Sequence, residues 1–484
     1  MLTPVIDGES SLPLYEQLYR YIREEITTGR LAAYEKLPGK RTLAAHLRIS
    51  QSTVETAYAQ LTAEGYLIAR PRSGYYVPPL EASLGPPAER DAPAAVSSPS
   101  PEADAPLFDF STGEVDTTGF PFATWARLTR EVLGEDSREL LRASPPQGDE
   151  ALRREIARHL RAFRGIVASP EQILVGAGSE YLLGLAVQLL GRDASYAVEN
   201  PGYPKIRRIL QANGAPVEPV GMDRDGLRLD ALQSSGARAV HITPSHHFPL
   251  GGVTPVSRRL RLLRWAEERP DRYILEDDYD SEFRFAGRPI PALQGLDRGG
   301  RVLYFNTFAK SLAPSLRIGY LVLPPALLER YRRELNFYAS TVPRFEQQVL
   351  RRFLQDGHFE RHLNRMRLRY KARRDALLAA LERHDPLHRI AVSGQDTGLH
   401  LLLQVEDGWR EDELVASARE QGVRVYGLSG YYGAPEQCAV KSAVVLGYAG
   451  VPPERMEEAV SRLSRAWNLE RRAKISGMEK GDLP

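Results

Sequence analysis

The spacing of hydrophobic positions changes twice along the 484-residue chain. From Pro13, Leu14, Leu18, Ile22 and Ile26 recur every four residues, which lines them along one stripe of a helix that Gly29 ends. Leu43 and Leu47 share a face of a second, short helix within 37–47, after which Ile49-Ser50 turns the chain. Ser50 or Ser52 can cap a third helix over 51–64, whose Val54, Ala57, Tyr58 and Leu61 point inward before Gly65 stops it. The stretches 66–70 and 75–77 flank Pro71-Arg72-Ser73-Gly74 and predict a hairpin. Residues 1–77 thus read as three helices and a wing, a helix-turn-helix unit.

Over 78–106 the periodicity vanishes. This stretch is rich in Pro, Ala, Ser and Glu, with hardly an apolar side chain larger than valine, so it cannot pack a core and reads as a flexible linker. A chain of that length spans on the order of 30 Å. From Ile173 onward a different pattern begins. Ile173-Leu174-Val175, Tyr196-Ala197-Val198, Ala239-Val240-His241-Ile242, Tyr273-Ile274-Leu275 and Val302-Leu303-Tyr304-Phe305 alternate with helical stretches. Such alternation predicts an α/β domain over 107–484 with a mostly parallel sheet between helices. A long helical stretch, 344–383, and strands near 398–405 and 442–446 predict a smaller C-terminal α+β lobe.

Composition narrows the classes. At 42% hydrophobic the chain can bury a large core, and no apolar run reaches the roughly 18 to 20 residues of a bilayer span. With no signal-peptide pattern at the N-terminus, a cytoplasmic protein is expected. A single cysteine, Cys438, excludes an internal disulfide or a thiolate metal cluster. His246-His247 would point to opposite faces of a strand, which is poor ligand geometry, so no metal is expected. The net charge of +2 gives no overall basic field, and any nucleic-acid signal must be local.

The candidate chemistry centres on Lys310, one of only eight lysines, inside the hydrophobic run 302–323. Burial disfavours an ammonium, and a deprotonated lysine is a nucleophile that forms imines with carbonyl compounds. A strand is expected to deliver Lys310 into a turn bearing Thr307, Ser311, Ser315 and Arg317, whose hydroxyls and guanidinium suit a phosphate. Upstream, the strand Tyr273-Ile274-Leu275 runs into Glu276-Asp277-Asp278-Tyr279-Asp280. A carboxylate, a phenol, an amine and a phosphate anchor together outline a pyridoxal phosphate site.

With those residues in place, the chain from about 108 to 469 resembles the fold-type I aminotransferases. The resemblance implies that Lys310 is the Schiff-base lysine, Asp277 the partner of the pyridine nitrogen and Tyr279 the donor to the ring hydroxyl. It also implies phosphate contacts from Arg317, Thr307, Gly178 and Ser179, the last two at a helix start, and stacking of Tyr203 on the cofactor ring.

The N-terminal unit resembles the GntR-type winged helix, matched nearly throughout 14–77. A helix-turn-helix sets the first residues of its recognition helix against base edges while cations hold phosphates. Those roles fall to Gln51, Ser52 and Thr53 for bases and to Lys40, Arg41, Arg70 and Arg72 for the backbone. Gly39 after Leu37-Pro38 and Gln51-Ser52 before Thr53-Val54 depart from the family pattern, so the operator cannot be borrowed from relatives.

A GntR-type head, a linker and an aminotransferase-like body make the layout of the MocR-type regulators, which the whole chain resembles. The resemblance implies a transcriptional regulator of promoter DNA, a head-to-tail homodimer, and a body that senses pyridoxal phosphate or an amino-compound effector condensed with it. The alternative is a working aminotransferase with a fused DNA-binding domain. Against it, Ser442-Ala443-Val444-Val445-Leu446-Gly447-Tyr448-Ala449 lacks the arginine that aminotransferases place there for the substrate carboxylate, leaving Lys205, Arg207 or Arg424 as substitutes. Phe248-Pro249-Leu250-Gly251 likewise replaces the Asn-Pro-Thr-Gly turn of the active enzymes. These departures favour a sensor over a catalyst.

Overall fold

The computed structural model describes residues 2–4, 6–7, 10, 12–79, 106–134, 138–285, 291–406 and 408–469. The linker expected over 78–106 lies, except for its ends, outside the described residues. The chain divides into two units, Met1–Asp104 and Ala105–Pro484.

The first unit has the expected elements: helices Leu14–Thr27, Lys40–Leu47 and Gln51–Ala63, followed by the hairpin Ile68–Arg70 and Gly74–Tyr76. The strands are shorter than their apolar stretches because Leu67 and Val77, just outside the ladder, turn into the core instead. Leu18, Ile22, Leu43, Val54, Tyr58 and Leu61 form that core. Ser50 is the cap of the third helix, its Oγ accepting from Thr53 N at 3.1 Å and satisfying an otherwise orphaned donor.

The second unit is built on an eight-stranded sheet. Its order is Ile173–Gly176, Gly319–Val322, Val302–Thr307, Tyr273–Asp277, Ala239–Ile242, Tyr196–Asn200, Val217–Asp223 and Gly226–Leu227. The five strands from Val302–Thr307 to Val217–Asp223 pair in parallel. Near-continuous burial, as in Val302 to Phe305, follows from apolar packing on both sheet faces. Gly319–Val322 runs antiparallel between two strands, pairing Gly319 with both Thr307 and Gly176. The apolar run 302–323 therefore contains two strands, and its second one brings Arg317 to the same sheet edge as the ends of its neighbours.

The predicted helical stretch 344–383 is two helices, Arg344–Gln355 and His358–His384, separated at Gly357, whose φ is +68°. Beyond them a four-stranded antiparallel sheet, including His400–Val405 and Ala443–Gly447, forms the smaller lobe. Trp467, Leu463 and Leu377 pack in its core. No helix among the described residues is long and apolar enough to cross a membrane.

Candidate functional site

Open α/β sheets bind ligands beyond the carboxyl ends of their parallel strands. Here those ends deliver Asp277, the last residue of its strand, Tyr279 two residues on, and Thr307 at the end of the adjacent strand. Lys310 follows on a one-turn helix, Phe308–Ser311, rather than in the turn expected from sequence. Thr307 creates that helix: its Oγ1 accepts from Ala309 N at 3.2 Å and donates to Ile318 O at 3.2 Å.

A cavity of about 300 Å³ opens at this edge, lined by Lys310, Asp277, Tyr279, Tyr203, Ser179, Thr307 and Arg317 among others. The structure thus brings these seven side chains together, whereas Ser311 and Ser315, whose hydroxyls the sequence also offered for a phosphate, are not among the lining residues. Lys310 Nζ donates to Thr112 O at 2.6 Å and to Gly113 O at 3.0 Å, and among the described residues it has no ion-pair partner. Burial lowers its pKa, with Asp280 and Glu114 opposing. An amine so placed gives its protons to backbone carbonyls rather than to a carboxylate.

Two backbone conformations shape the opposite end. Gly178, with φ +87°, begins the helix Ser179–Leu190, and a Cβ there would lie 3.0 Å from Arg317 Nη2. A side chain there would push the guanidinium back, and the positive φ itself favours glycine. Arg317 itself is left-handed, with φ +50°, a conformation that costs a non-glycine residue roughly 1–2 kcal/mol. That strain projects its side chain toward Ala177 O, 3.4 Å away, and Glu180 Oε2, 3.3 Å away.

Beneath the cavity lies a buried polar layer that sequence reasoning assigned no role. His241 Nε2 sits 3.4 Å from Asp277 Oδ2 on the neighbouring strand. Tyr279 OH lies 3.1 Å from His246 Nδ1, which is 2.9 Å from Asp280 Oδ2. His246 and His247 occupy the loop after strand Ala239–Ile242, not a strand, and both are buried. The opposite-face argument made for them therefore does not apply. His246, Asp280 and His400 have ligand-type atoms within 4.8 Å of one another. Burial drives the His400 pKa well below its usual value, which makes its ring a neutral packing partner for His246, 4.6 Å away. Glu199, accepting from Thr243 N and Oγ1, is pushed up to about 7 by burial. The only signal for this layer was the histidine and glutamate inside otherwise apolar strand runs.

Tyr203, about half exposed, meets the Phe248 ring edge-on at 5.4 Å. Lys205 and Arg207 also line the cavity, whereas Arg424 pairs with Asp109 at 3.5 Å and is not among its lining residues.

In the N-terminal unit, Gln51 and Ser52 are exposed on the first turn of the third helix. Thr53 is half-buried, and its hydroxyl lies 2.7 Å from Ser50 Oγ within the cap, which commits it more than the sequence suggested. Arg41 and Arg72 are exposed, Arg72 at the hairpin tip with φ +60°. Arg70 lies over the Tyr76 ring at 4.8 Å. Lys40 is already paired with Glu55 at 2.6 Å. Sequence spacing does not reveal that pairing, because it crosses between two helices.

Residues 105–463 match the family Aminotransferase class I and II, and residues 14–77 match Bacterial regulatory proteins, gntR family. The chain is 36% identical to the probable rhizopine catabolism regulatory protein MocR of Rhizobium meliloti over 96% of this chain and 95% of that one. The chain belongs to the MocR-type transcriptional regulators. This MocR-type chain is also 38% identical to the uncharacterized HTH-type transcriptional regulator YdeL of Bacillus subtilis, across 97% of this chain and 100% of YdeL. Its body is similar to the kynurenine aminotransferase of Pyrococcus horikoshii, with a TM-score of 0.66 and 25% identity over 77% of this chain and 93% of that one. The MocR-type regulator therefore joins a GntR-type DNA-binding head to an aminotransferase-like body, whose fold family depends on pyridoxal phosphate.

Proposed function

We propose that this regulator holds pyridoxal 5'-phosphate in its body and that occupancy of that site, by the cofactor alone or with an amino compound, changes how its heads bind promoter DNA. The observation that carries the reading is the donor set of one cavity: a buried amine at Lys310 held by backbone carbonyls, a carboxylate at Asp277, a phenol at Tyr279, and a guanidinium with a helix start at Arg317 and Ser179. That set fits each polar group of the cofactor. Lys310 would hold its aldehyde, Asp277 the ring nitrogen, and Tyr279 the ring hydroxyl, while Tyr203 would stack on the ring. Arg317, Ser179, Thr307 and the Gly178 backbone would take the phosphate. The bound cofactor supplies an aldehyde reactive toward amines on an electron-withdrawing ring.

On this chain's side, His241 keeps Asp277 oriented, and His246 with Asp280 fixes the Tyr279 hydroxyl. In the head, Gln51, Ser52 and Thr53 would face bases and Lys40, Arg41, Arg70 and Arg72 the phosphates. A sensor is favoured over an active aminotransferase because Ala443–Gly447 is a buried apolar strand without a cation, and of the substitute anchors Lys205 is engaged by Glu180 and Arg424 lies outside the cavity lining, which leaves Arg207. A ligand moves the heads only if it binds two body shapes unequally, so its effect on DNA must be matched by an equal effect of DNA on ligand affinity.

A homodimer is part of the proposal. It rests on the resemblance to the MocR-type regulators, which implies a head-to-tail pair. Titrating pyridoxal phosphate into the purified protein, followed by absorbance and borohydride trapping, tests the cofactor reading. DNA affinity measured with and without it tests the sensor, and sedimentation tests the dimer. A colourless protein that borohydride does not label would reject the cofactor.

A further inference from the structure

The phosphate end of the cavity contains an anion of the protein's own. Glu180, in the first turn of the helix Ser179–Leu190, lies between the two nearest cations, with one oxygen on Lys205 Nζ and the other 3.3 Å from Arg317 Nη2. Lys205 and Arg317 come from different parts of the fold, Lys205 from the first turn of Pro204–Ala212 and Arg317 from the left-handed residue before strand Gly319–Val322. Glu180 also lines the cavity. Its carboxylate is ionised: the Lys205 hydrogen bond lowers its pKa most, and the charge of Arg317 adds to this.

A carboxylate in a helix's first turn is favourable for the helix itself. The same position is unfavourable for a second anion at that helix start, because the two negative charges share one guanidinium. The Nη2 group of Arg317 already donates to both Ala177 O and Glu180 Oε2, so an incoming anion meets a guanidinium nitrogen that is in use.

We propose that Glu180 is an internal competitor for the phosphate, and that Glu180 and Lys205 together set how strongly this site prefers a phosphorylated ligand over its unphosphorylated counterpart. The inference rests on the cofactor reading above. On arrival of a phosphate, Arg317 exchanges the Glu180 carboxylate for the ligand, and Glu180 stays on Lys205. Lys205 thus acts as the retaining partner that keeps the displaced charge from repelling the phosphate. The net result is a site whose affinity for phosphate is held below what Arg317 and the helix start alone would provide, as an exchangeable signal requires.

The test compares two probes, pyridoxal 5'-phosphate and pyridoxal, binding to the full chain in phosphate-free buffer, with affinities read from the imine absorbance. Glu180→Gln keeps the shape and removes the charge. Because all three side chains are partly exposed, each pair is worth little, and the expected gain for the phosphorylated probe is roughly three- to tenfold. Affinity for pyridoxal is expected to stay within about twofold. Lys205→Gln should act in the opposite direction, weakening the phosphorylated probe by a similar factor, and this loss should shrink when combined with E180Q. Glu180→Ala serves as a second variant in case the glutamine perturbs the fold.

Equal gains for both probes, or no gain for the phosphorylated one, overturn the inference while leaving the cofactor reading intact. No imine absorbance in any of these proteins overturns both.

Discussion

The ion pair between Arg164 and Asp278 offers a stringent test of how the body holds its site. Arg164 Nε lies 2.7 Å from Asp278 Oδ2, with side chains 5% and 0% exposed, and Tyr304 OH reaches the same oxygen at 2.5 Å. Asp278 stands between Asp277 and Tyr279, so this pair fixes the turn that presents both. Replacing Arg164 with Met leaves a buried carboxylate without its counter-charge, a loss of about 3–5 kcal/mol. Unfolding entropy of roughly 2.1 cal/mol/K per residue, over a body of about 380 residues, comes to about 0.8 kcal/mol/K. The body transition should therefore fall by about 4–6 °C. Adding Asp278→Asn to R164M removes the stranded charge and should recover part of that loss, so the two substitutions are not additive. Differential scanning calorimetry of the wild type, both single variants and the double variant reads the coupling directly. A body transition within about 1 °C of wild type in R164M, or a double variant whose loss is the sum of the singles, would refute the reasoning.

Three further outcomes follow from the geometry. Lys310→Ala should abolish the imine band with pyridoxal phosphate and any cofactor-dependent change in DNA affinity while sparing basal DNA binding, as titration and a DNA-binding assay on the same preparation will show. Arg41→Ala should weaken binding to any duplex and reduce the slope of log affinity against log salt by about 0.9, whereas Glu55→Gln, by freeing Lys40, should strengthen binding; anisotropy at several salt concentrations distinguishes them. Glu199 has a folded pKa raised from 4.5 to about 7, so its contribution to stability is complete below about pH 4.5 and declines as pH rises to about 7, by about 3 kcal/mol. Glu199→Gln should therefore lose less of its melting temperature than wild type between pH 5 and pH 8, by about 4 °C, and parallel pH profiles would contradict this.

Local patterns in the chain carried much of this architecture. The helix stripes, the Ser50 cap and the alternation of apolar runs are each decided by neighbours a few residues away, and the elements they predict are present. Asp277, Tyr279, Thr307 and Lys310 were legible because parallel strands end at one edge, so residues just past each apolar run must converge. The antiparallel strand Gly319–Val322 was hidden because one hydrophobic run covers it and its partner, with no change of period to separate them. The one-turn helix under Lys310 depends on a single hydroxyl cap, a signal too short for any periodicity. The pairing of His246 with His400, and of Glu180 with Lys205 and Arg317, joins residues far apart in the chain. Nothing local marks such partners before the strands are ordered.

The two carbonyls that hold Lys310 belong to Thr112 and Gly113, close to where the described part of the body begins, and the Ser111 carbonyl beside them packs within 2.3 Å of where a Cβ on Gly447 would stand. A nitrogen that has condensed with an aldehyde has too few hydrogens left to satisfy both carbonyls. Any reagent that consumes this amine thereby releases at least one of these two carbonyls, while the strand Phe108–Asp109 just before them stays paired with Val423–Arg424. Chemistry at a single atom is thus registered first in the hydrogen bonding of the backbone at Thr112 and Gly113.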